Sequence, residues 1–188
     1  MSVIVSNSKS GLGRFGNAIR FSICSLLTFF CLLFIFWLLV SYWGISYTYT
    51  GSLPSGIYVR SEGGITRGAL VSFDPNKDDK LKAFLDEFAI RGSKYIWMKK
   101  VVGMPGDRID ISSDHVIQVN GQKLCNAKVF RIKPKRDVGE FHLVQYPFTV
   151  PSDEYYVLGT NQYSLDSRYF GTVSKRMILE VNEPLLTW

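Results

Sequence analysis

Histidine and cysteine are scarce in this chain, two and three among 188 residues. Three cysteines cannot build a disulfide framework, and none lies with a histidine at metal-ligand spacing, so neither a cystine-stapled fold nor a zinc site is expected. Acidic residues are missing from everything before Glu62, and charge of either sign is missing from Phe21 to Val59. A strongly basic face is missing too. Three of the 22 Lys and Arg residues (Lys9, Arg14 and Arg20) precede the uncharged stretch, which leaves 19 against all 16 acidic residues from Gly51 onward. So small and scattered an excess reads as a solvated mixed-charge surface, and no nucleic-acid partner is expected. Internal repeats and low-complexity tracts are also absent.

What is present first is an apolar run. Phe21 to Trp43 is mostly Leu, Phe, Ile, Val and Cys, and it has the ~20 residues that span a bilayer as a helix. Trp37, Tyr42 and Trp43 stand near its far end, where aromatic rings favour the interface. The run is too long for a signal-peptide core and no small-x-small cleavage site follows, so an uncleaved anchor is expected. Basic residues before it place the N-terminus in the cytoplasm and the remainder outside. The expected organisation is a cytoplasmic tail at 1–20, a transmembrane anchor at 21–43 in contact with lipid, and an exported domain at 44–188. Cys24 and Cys31 fall seven apart on one face of the anchor, and Cys125 is alone in the exported part. Gly11-Leu12-Gly13-Arg14-Phe15-Gly16 matches G-x-G-x-x-G, but no strand precedes it and no βαβ unit follows, so the match is accidental.

Beyond the anchor the pattern is mainly β. Short strands are predicted at Ile57–Val59, Ala69–Phe73, Tyr95–Val102, Arg108–Ile111, Val116–Val119, Tyr155–Leu158 and Thr172–Val181, with a hairpin turn at Asn120-Gly121. One amphipathic helix interrupts them. Leu81, Phe84, Leu85, Phe88 and Ala89 form its apolar stripe, Asp78 or Asp79 caps its start, and Gly92 ends it. It is expected to cover the sheet. The basic segment Arg131–Arg136 reads as a solvated loop.

Three segments carry chemistry: Thr50-Gly-Ser52-Leu-Pro54-Ser-Gly56-Ile-Tyr58, Met98-Lys99-Lys100-Val-Val-Gly103-Met-Pro105-Gly106-Asp107, and Gly159-Thr160-Asn161-Gln-Tyr-Ser164-Leu-Asp166-Ser-Arg168-Tyr-Phe-Gly171. Ser52 alone is an ordinary loop serine. It lies nine residues beyond Trp43, however, and nine extended residues reach at most ~30 Å, which keeps it near the outer membrane surface. Pro54 and Gly56 give its turn a fixed, open shape. A serine nucleophile needs a base. Asp114-His115 suggests a triad only by adjacency, and the other histidine is His142. A lysine is the alternative, in the Ser-Lys form of the catalytic constellation. At its ordinary pKa of about 10.4 a lysine is protonated, but apolar burial favours the neutral amine. Alternation along a strand puts Lys99 with Tyr95, Trp97 and Val101, and Lys100 with Ile96, Met98 and Val102. Both lysines have apolar neighbours, so periodicity leaves the choice open.

The second and third segments resemble the two signatures of the signal peptidase I superfamily, a lysine-bearing box ending in Gly-x-Pro-Gly-Asp and a Gly-Asp-Asn box continuing to Ser-x-Asp-Ser-Arg. The resemblance implies that Lys99 is the general base, with Ser164 orienting its amine. It further implies that Asp166 and Arg168 pair to support the site, that Gly103, Pro105, Gly106 and Asp107 shape it, and that Thr50 and the Ser52 N–H form the oxyanion hole. Two positions depart from the pattern. Thr160 stands where the family has Asp, and Ser52-Leu53-Pro54 is one residue shorter than the usual Ser-x-x-Pro. The shorter box is similar to the TraF-type branch, the conjugative-transfer peptidases that mature pilin precursors. The implied protein is a mainly β, signal-peptidase-like serine endopeptidase with one covering helix and one N-terminal transmembrane helix. It would sit in a bacterial inner membrane with its catalytic domain in the periplasm, act on a membrane-inserted precursor such as a pro-pilin, and use no metal or cofactor. A general signal peptidase and a catalytically silent scaffold of a secretion or pilus apparatus are the alternatives.

Overall fold

The computed structural model describes the backbone of residues 9–49, 51–87, 96–129 and 144–188, and the side chains within it except those of residues 9–16, 18, 87, 125 and 126. The chain divides into two units, Met1–Gly44 and Ile45–Trp188. The described residues of the first form one helix, α1 (Lys9–Trp43), whose Ile19–Trp43 stretch is long and apolar enough to cross a membrane. The helix begins well inside the segment expected to be an irregular tail. Nucleation is the costly step and each added residue then gains a bond, so a helix founded on the apolar run extends outward into polar sequence. The G-x-G-x-x-G match therefore lies within a helix and forms no phosphate-binding turn.

The second unit is mainly β. Its larger sheet has the order β1-β2-β11-β3-β4-β9-β10, from β1 (Ser46–Thr48), β2 (Gly56–Ser61), β3 (Leu70–Phe73), β4 (Trp97–Gly103), β9 (Glu154–Leu158), β10 (Val173–Ser174) and β11 (Ile178–Thr187). The smaller has the order β7-β6-β5-β8, from β5 (Arg108–Ile111), β6 (Val116–Val119), β7 (Gln122–Lys128) and β8 (Phe148–Thr149). Asn120 and Gly121 both take positive φ, 51° and 81°, as a two-residue turn between β6 and β7 requires.

Two cores follow from this arrangement. Val71, Phe73, Val101, Tyr155 and Val157 of the larger sheet pack with Leu81, Phe84 and Leu85 of α2 (Asp79–Glu87) and with Tyr169 of the short helix α3 (Ser167–Phe170). The predicted covering helix is thus present. Asp78 caps it, accepting from the Leu81 N–H at 2.9 Å; Phe88, Ala89 and Gly92, like Tyr95 and the segment Arg131–Arg136, lie outside the described residues. Tyr156 and Leu158 point the other way, into a second core with Ile109, Ile117 and Val119. β9 is therefore buried on both faces, which is why its Tyr-Tyr-Val-Leu run lacks alternation.

The single strand predicted at Thr172–Val181 is two strands separated by a 3-10 turn at Lys175–Met177. The Lys175 N–H is drawn off to the Asp153 carbonyl at 2.7 Å, and Met177 turns into the first core with 1% exposure. β11 then runs between β2 and β3 and joins the strand after the Ser52 turn to the strand beside β4.

Candidate active site

Lys99 lies at mid-β4, opposite Val71 of β3. Strand alternation turns it to the same face as Val101, toward the first core, and it is 4% exposed. Lys100 faces the other way and is exposed. The Lys99 Nζ donates to Ser52 Oγ at 2.6 Å and to Ser164 Oγ at 2.7 Å, and it lies 5.8 Å from the centre of the Trp97 ring. Burial lowers its pKa from 10.5 to about 8; the nearby Asp166 charge pulls it back up and Arg168 pushes it down. This is the effect that apolar burial has on an amine. An amine so placed, once neutral, can accept the proton of a hydroxyl within hydrogen-bond reach.

Ser52 stands in the irregular turn ahead of β2, half-buried, while Leu53 beside it is buried. The turn is held by one local bond and by two from groups distant in sequence. The Tyr58 hydroxyl donates to the Pro54 carbonyl at 2.7 Å, the Trp188 N–H donates to the Ser55 carbonyl at 2.9 Å, and the Thr160 N–H donates to the Ser52 carbonyl at 2.7 Å. Gly56 is required by close approach, since a Cβ there would lie 2.2 Å from the Leu186 carbonyl oxygen of β11.

Ser164 is brought to Lys99 by the loop after β9. A Cβ on Gly159 would sit 2.2 Å from Ser164 Oγ and 2.9 Å from the Ser52 carbonyl oxygen. Glycine therefore lets β9 end against both hydroxyl-bearing residues at once. The loop itself is fixed by Asp166 and Arg168. Their side chains are fully buried and joined by two hydrogen bonds of 2.7 Å. Arg168 also donates to the carbonyls of Lys128, Gln162, Asn161 and Ser164, and Asp166 accepts from the Gly159 N–H at 2.9 Å. This is the bidentate geometry that makes arginine effective in buried pairs.

Gly103, Pro105, Gly106 and Asp107 form the turn that leaves β4. A Cβ on Gly103 would lie 2.8 Å from Tyr156 Cβ, and Gly106 takes φ +85°. The Asp107 carboxylate accepts from the Met104 N–H, Arg67 and Asn120. Burial pushes its pKa up, but these donors carry it below the ordinary carboxylate value. The box is thus a turn clamp that fixes the end of the lysine's strand.

The residues the sequence singled out divide cleanly. Ser52, Lys99 and Ser164 converge, Asp166 and Arg168 lie directly behind them, and Thr50 lies outside the described residues. Asp114 binds Lys123 at 2.8 Å, and His115 is an exposed turn residue with φ 61°; His142 is outside the described residues. Cys24 and Cys31 are free and exposed on α1. No cluster of His, Cys, Asp and Glu among the described residues could hold a metal ion. Sequence reasoning treated Thr160 as a lost charge and missed its contact with Ser52, a pairing 108 residues apart that no local pattern signals.

The chain is 30% identical over 146 residues to the plasmid transfer protein TraF of Escherichia coli, covering 74% of this chain and 81% of that protein. It is 34% identical over 114 residues to the probable signal peptidase I-2 of Synechocystis, covering 60% of this chain and 44% of that protein, so the match spans under half of the relative's length. The crystal structure of a signal peptidase I from Enterococcus faecalis is similar with a TM-score of 0.38 at 23% identity, over 64% of this chain and 98% of that one. The model of the signal peptidase family, peptidase S26, matches residues 17–185, nearly the whole chain. The chain belongs to the signal peptidase family, peptidase S26.

Proposed function

We propose that this family member is a membrane-anchored serine endopeptidase that cleaves an exported precursor of the pilin type during conjugative transfer. Ser52 Oγ attacks the scissile carbonyl while the Lys99 amine takes its proton; the ammonium gives that proton to the leaving amine as the C–N bond breaks, and Lys99, neutral again, activates the water that hydrolyses the acyl-enzyme. Ser164 orients the amine. The Ser52 N–H and the Thr50 hydroxyl stabilise the oxyanion. The observation that carries this reading is the 2.6 Å contact between Ser52 Oγ and a buried amine whose pKa is lowered to about 8.

The substrate assignment is supported by the likeness to the plasmid transfer protein TraF and by the short Ser52-Leu53-Pro54 box. Joining the acyl group to an amine, giving a cyclic product, would start from the same intermediate. An anchor at residues 21–43 with the N-terminus in the cytoplasm and the β domain in the periplasm is supported by the apolar helix and by the basic residues ahead of it. Contact of the β domain with lipid is supported by an exposed aromatic cluster, in which Tyr47 lies 6.0 Å from Tyr49 and 6.1 Å from Trp188 between ring centres.

A general signal peptidase is the second reading, favoured by the likeness to the probable signal peptidase I-2. Processing in cells separates the possibilities. Ser52→Ala and Lys99→Met are each expected to abolish cleavage while the protein accumulates folded, and cleavage by either variant would contradict the assignment. Accumulation of one pilin-like precursor supports the dedicated role, whereas accumulation of many exported precursors supports the general one.

A further inference from the structure

Both donors of Thr160 converge on one atom of the nucleophile's own backbone. Its N–H reaches the Ser52 carbonyl oxygen at 2.7 Å, and its hydroxyl reaches the same oxygen at 3.2 Å. A carbonyl oxygen has two lone pairs, so both can be used. The N–H would be supplied by nearly any residue at this position. The hydroxyl is what threonine adds, and its β-branched side chain is stiff about χ1, which holds the hydroxyl in place at an exposed position.

The location gives this contact mechanical meaning. Gly159 and Thr160 directly follow β9, which pairs with β4, the strand of Lys99. Gly159 donates to Asp166, and Arg168 donates to the Asn161 carbonyl. Thr160 therefore ties the Ser52 peptide to the same framework that holds the base. Holding the carbonyl restrains the ψ angle of Ser52 and so the placement of its Cβ, from which χ1 carries Oγ to Lys99 Nζ, 2.6 Å away.

We infer that Thr160 is a positioning residue for the nucleophile, with its hydroxyl holding the Ser52 carbonyl so that Oγ stays in line with the Lys99 amine. The inference rests on the Ser52–Lys99 reading. Thr160 makes no contact with the reacting hydroxyl and acts through the peptide it holds.

The test uses the full-length chain in detergent and a small activated ester, a p-nitrophenyl ester, that needs no precursor recognition. The rate of acyl-adduct formation on Ser52 is followed by mass spectrometry across pH, and thermal unfolding is measured alongside. Thr160→Val, which keeps the N–H, should lower the plateau rate about three- to tenfold, the kinetic equivalent of one modest hydrogen bond. The pH midpoint and the unfolding temperature should not change, because the surroundings of Lys99 are untouched. Thr160→Ser should return the rate to within about twofold of the parent, since the donor is restored on a less rigid side chain. An unchanged rate in Thr160→Val overturns the inference, and so does a loss that Thr160→Ser fails to repair or that comes with a shifted pH midpoint. Ser52→Ala separates the two levels. Loss of the adduct there with a normal Thr160→Val rate refutes only the role of Thr160, whereas a persistent adduct refutes the nucleophile assignment beneath it.

Discussion

Two segments meet at Lys99, and they are held in opposite ways. The Gly159–Gly171 loop, which delivers Ser164, is fixed from within by a fully buried ion pair whose arginine also binds four carbonyls. The Ser52 turn is half-buried and held by one bond from Tyr58, one from Trp188 and the two donors of Thr160. Ser164 is thus anchored like a core residue, while Ser52 rests on a few replaceable bonds. Changes in the buried Asp166–Arg168 pair should register as stability. Changes around the Ser52 turn should register as rate.

The largest effect should come from the buried pair. Asp166→Ala leaves Arg168 without its counter-charge in a site of 1% exposure, and losing one partner of a buried pair costs about 3–5 kcal/mol. Chemical denaturation of the full chain should show this loss, with activity falling because the folded population falls. A variant of unchanged stability would remove the distinction between the two segments.

Lys99→Met should act in the opposite direction on stability. The folded pKa of Lys99, about 8, lies below its ordinary 10.5. Between these values the unfolded chain binds a proton that the folded chain does not, so folding stability rises with pH across that window. Below pH 8 the cost of burying the amine is present in full. A shift of this size corresponds to roughly 3 kcal/mol at most, before the lost bonds to Ser52 and Ser164 are counted. Lys99→Met should therefore be inactive, yet at pH 7 at least as stable as the parent, and it should lack the gain in stability between pH 8 and 10.5. Denaturant midpoints at several pH values measure both. The smallest effect belongs to the neighbour. Lys100→Ala, on the exposed face, should alter stability by less than about 0.5 kcal/mol and leave Ser52 acylation intact.

The sequence made the chemistry more legible than the geometry. The boxes around Ser52, Lys99 and Ser164 could be read only through their resemblance to a family's signatures, since Ser52 alone is an ordinary loop serine. The choice of Lys99 over Lys100 could not be read from alternation, since both have apolar neighbours. It depends on which face of β4 meets the first core, and that is set by pairing with Val71 and Val157's strand, β9. The mainly β character and the α2 stripe were visible in periodicity. β9 was recognised as a strand, but the burial of both its faces came from tertiary packing. The break between β10 and β11 depends on Asp153 capturing the Lys175 N–H. The four-residue helix α3 and the three-residue strand β1 are too short for any period to appear. The grip of Thr160 on Ser52 lies wholly in tertiary contact.

The most direct test of the central claim is the pH dependence of Ser52 acylation by an activated ester in the full-length protein. If the neutral Lys99 amine is the base, the rate rises with pH to a plateau with a midpoint near 8, and Lys99→Met loses the pH-dependent rise. A midpoint in the ordinary histidine range of about 6.5, or the same profile in Lys99→Met, would contradict it.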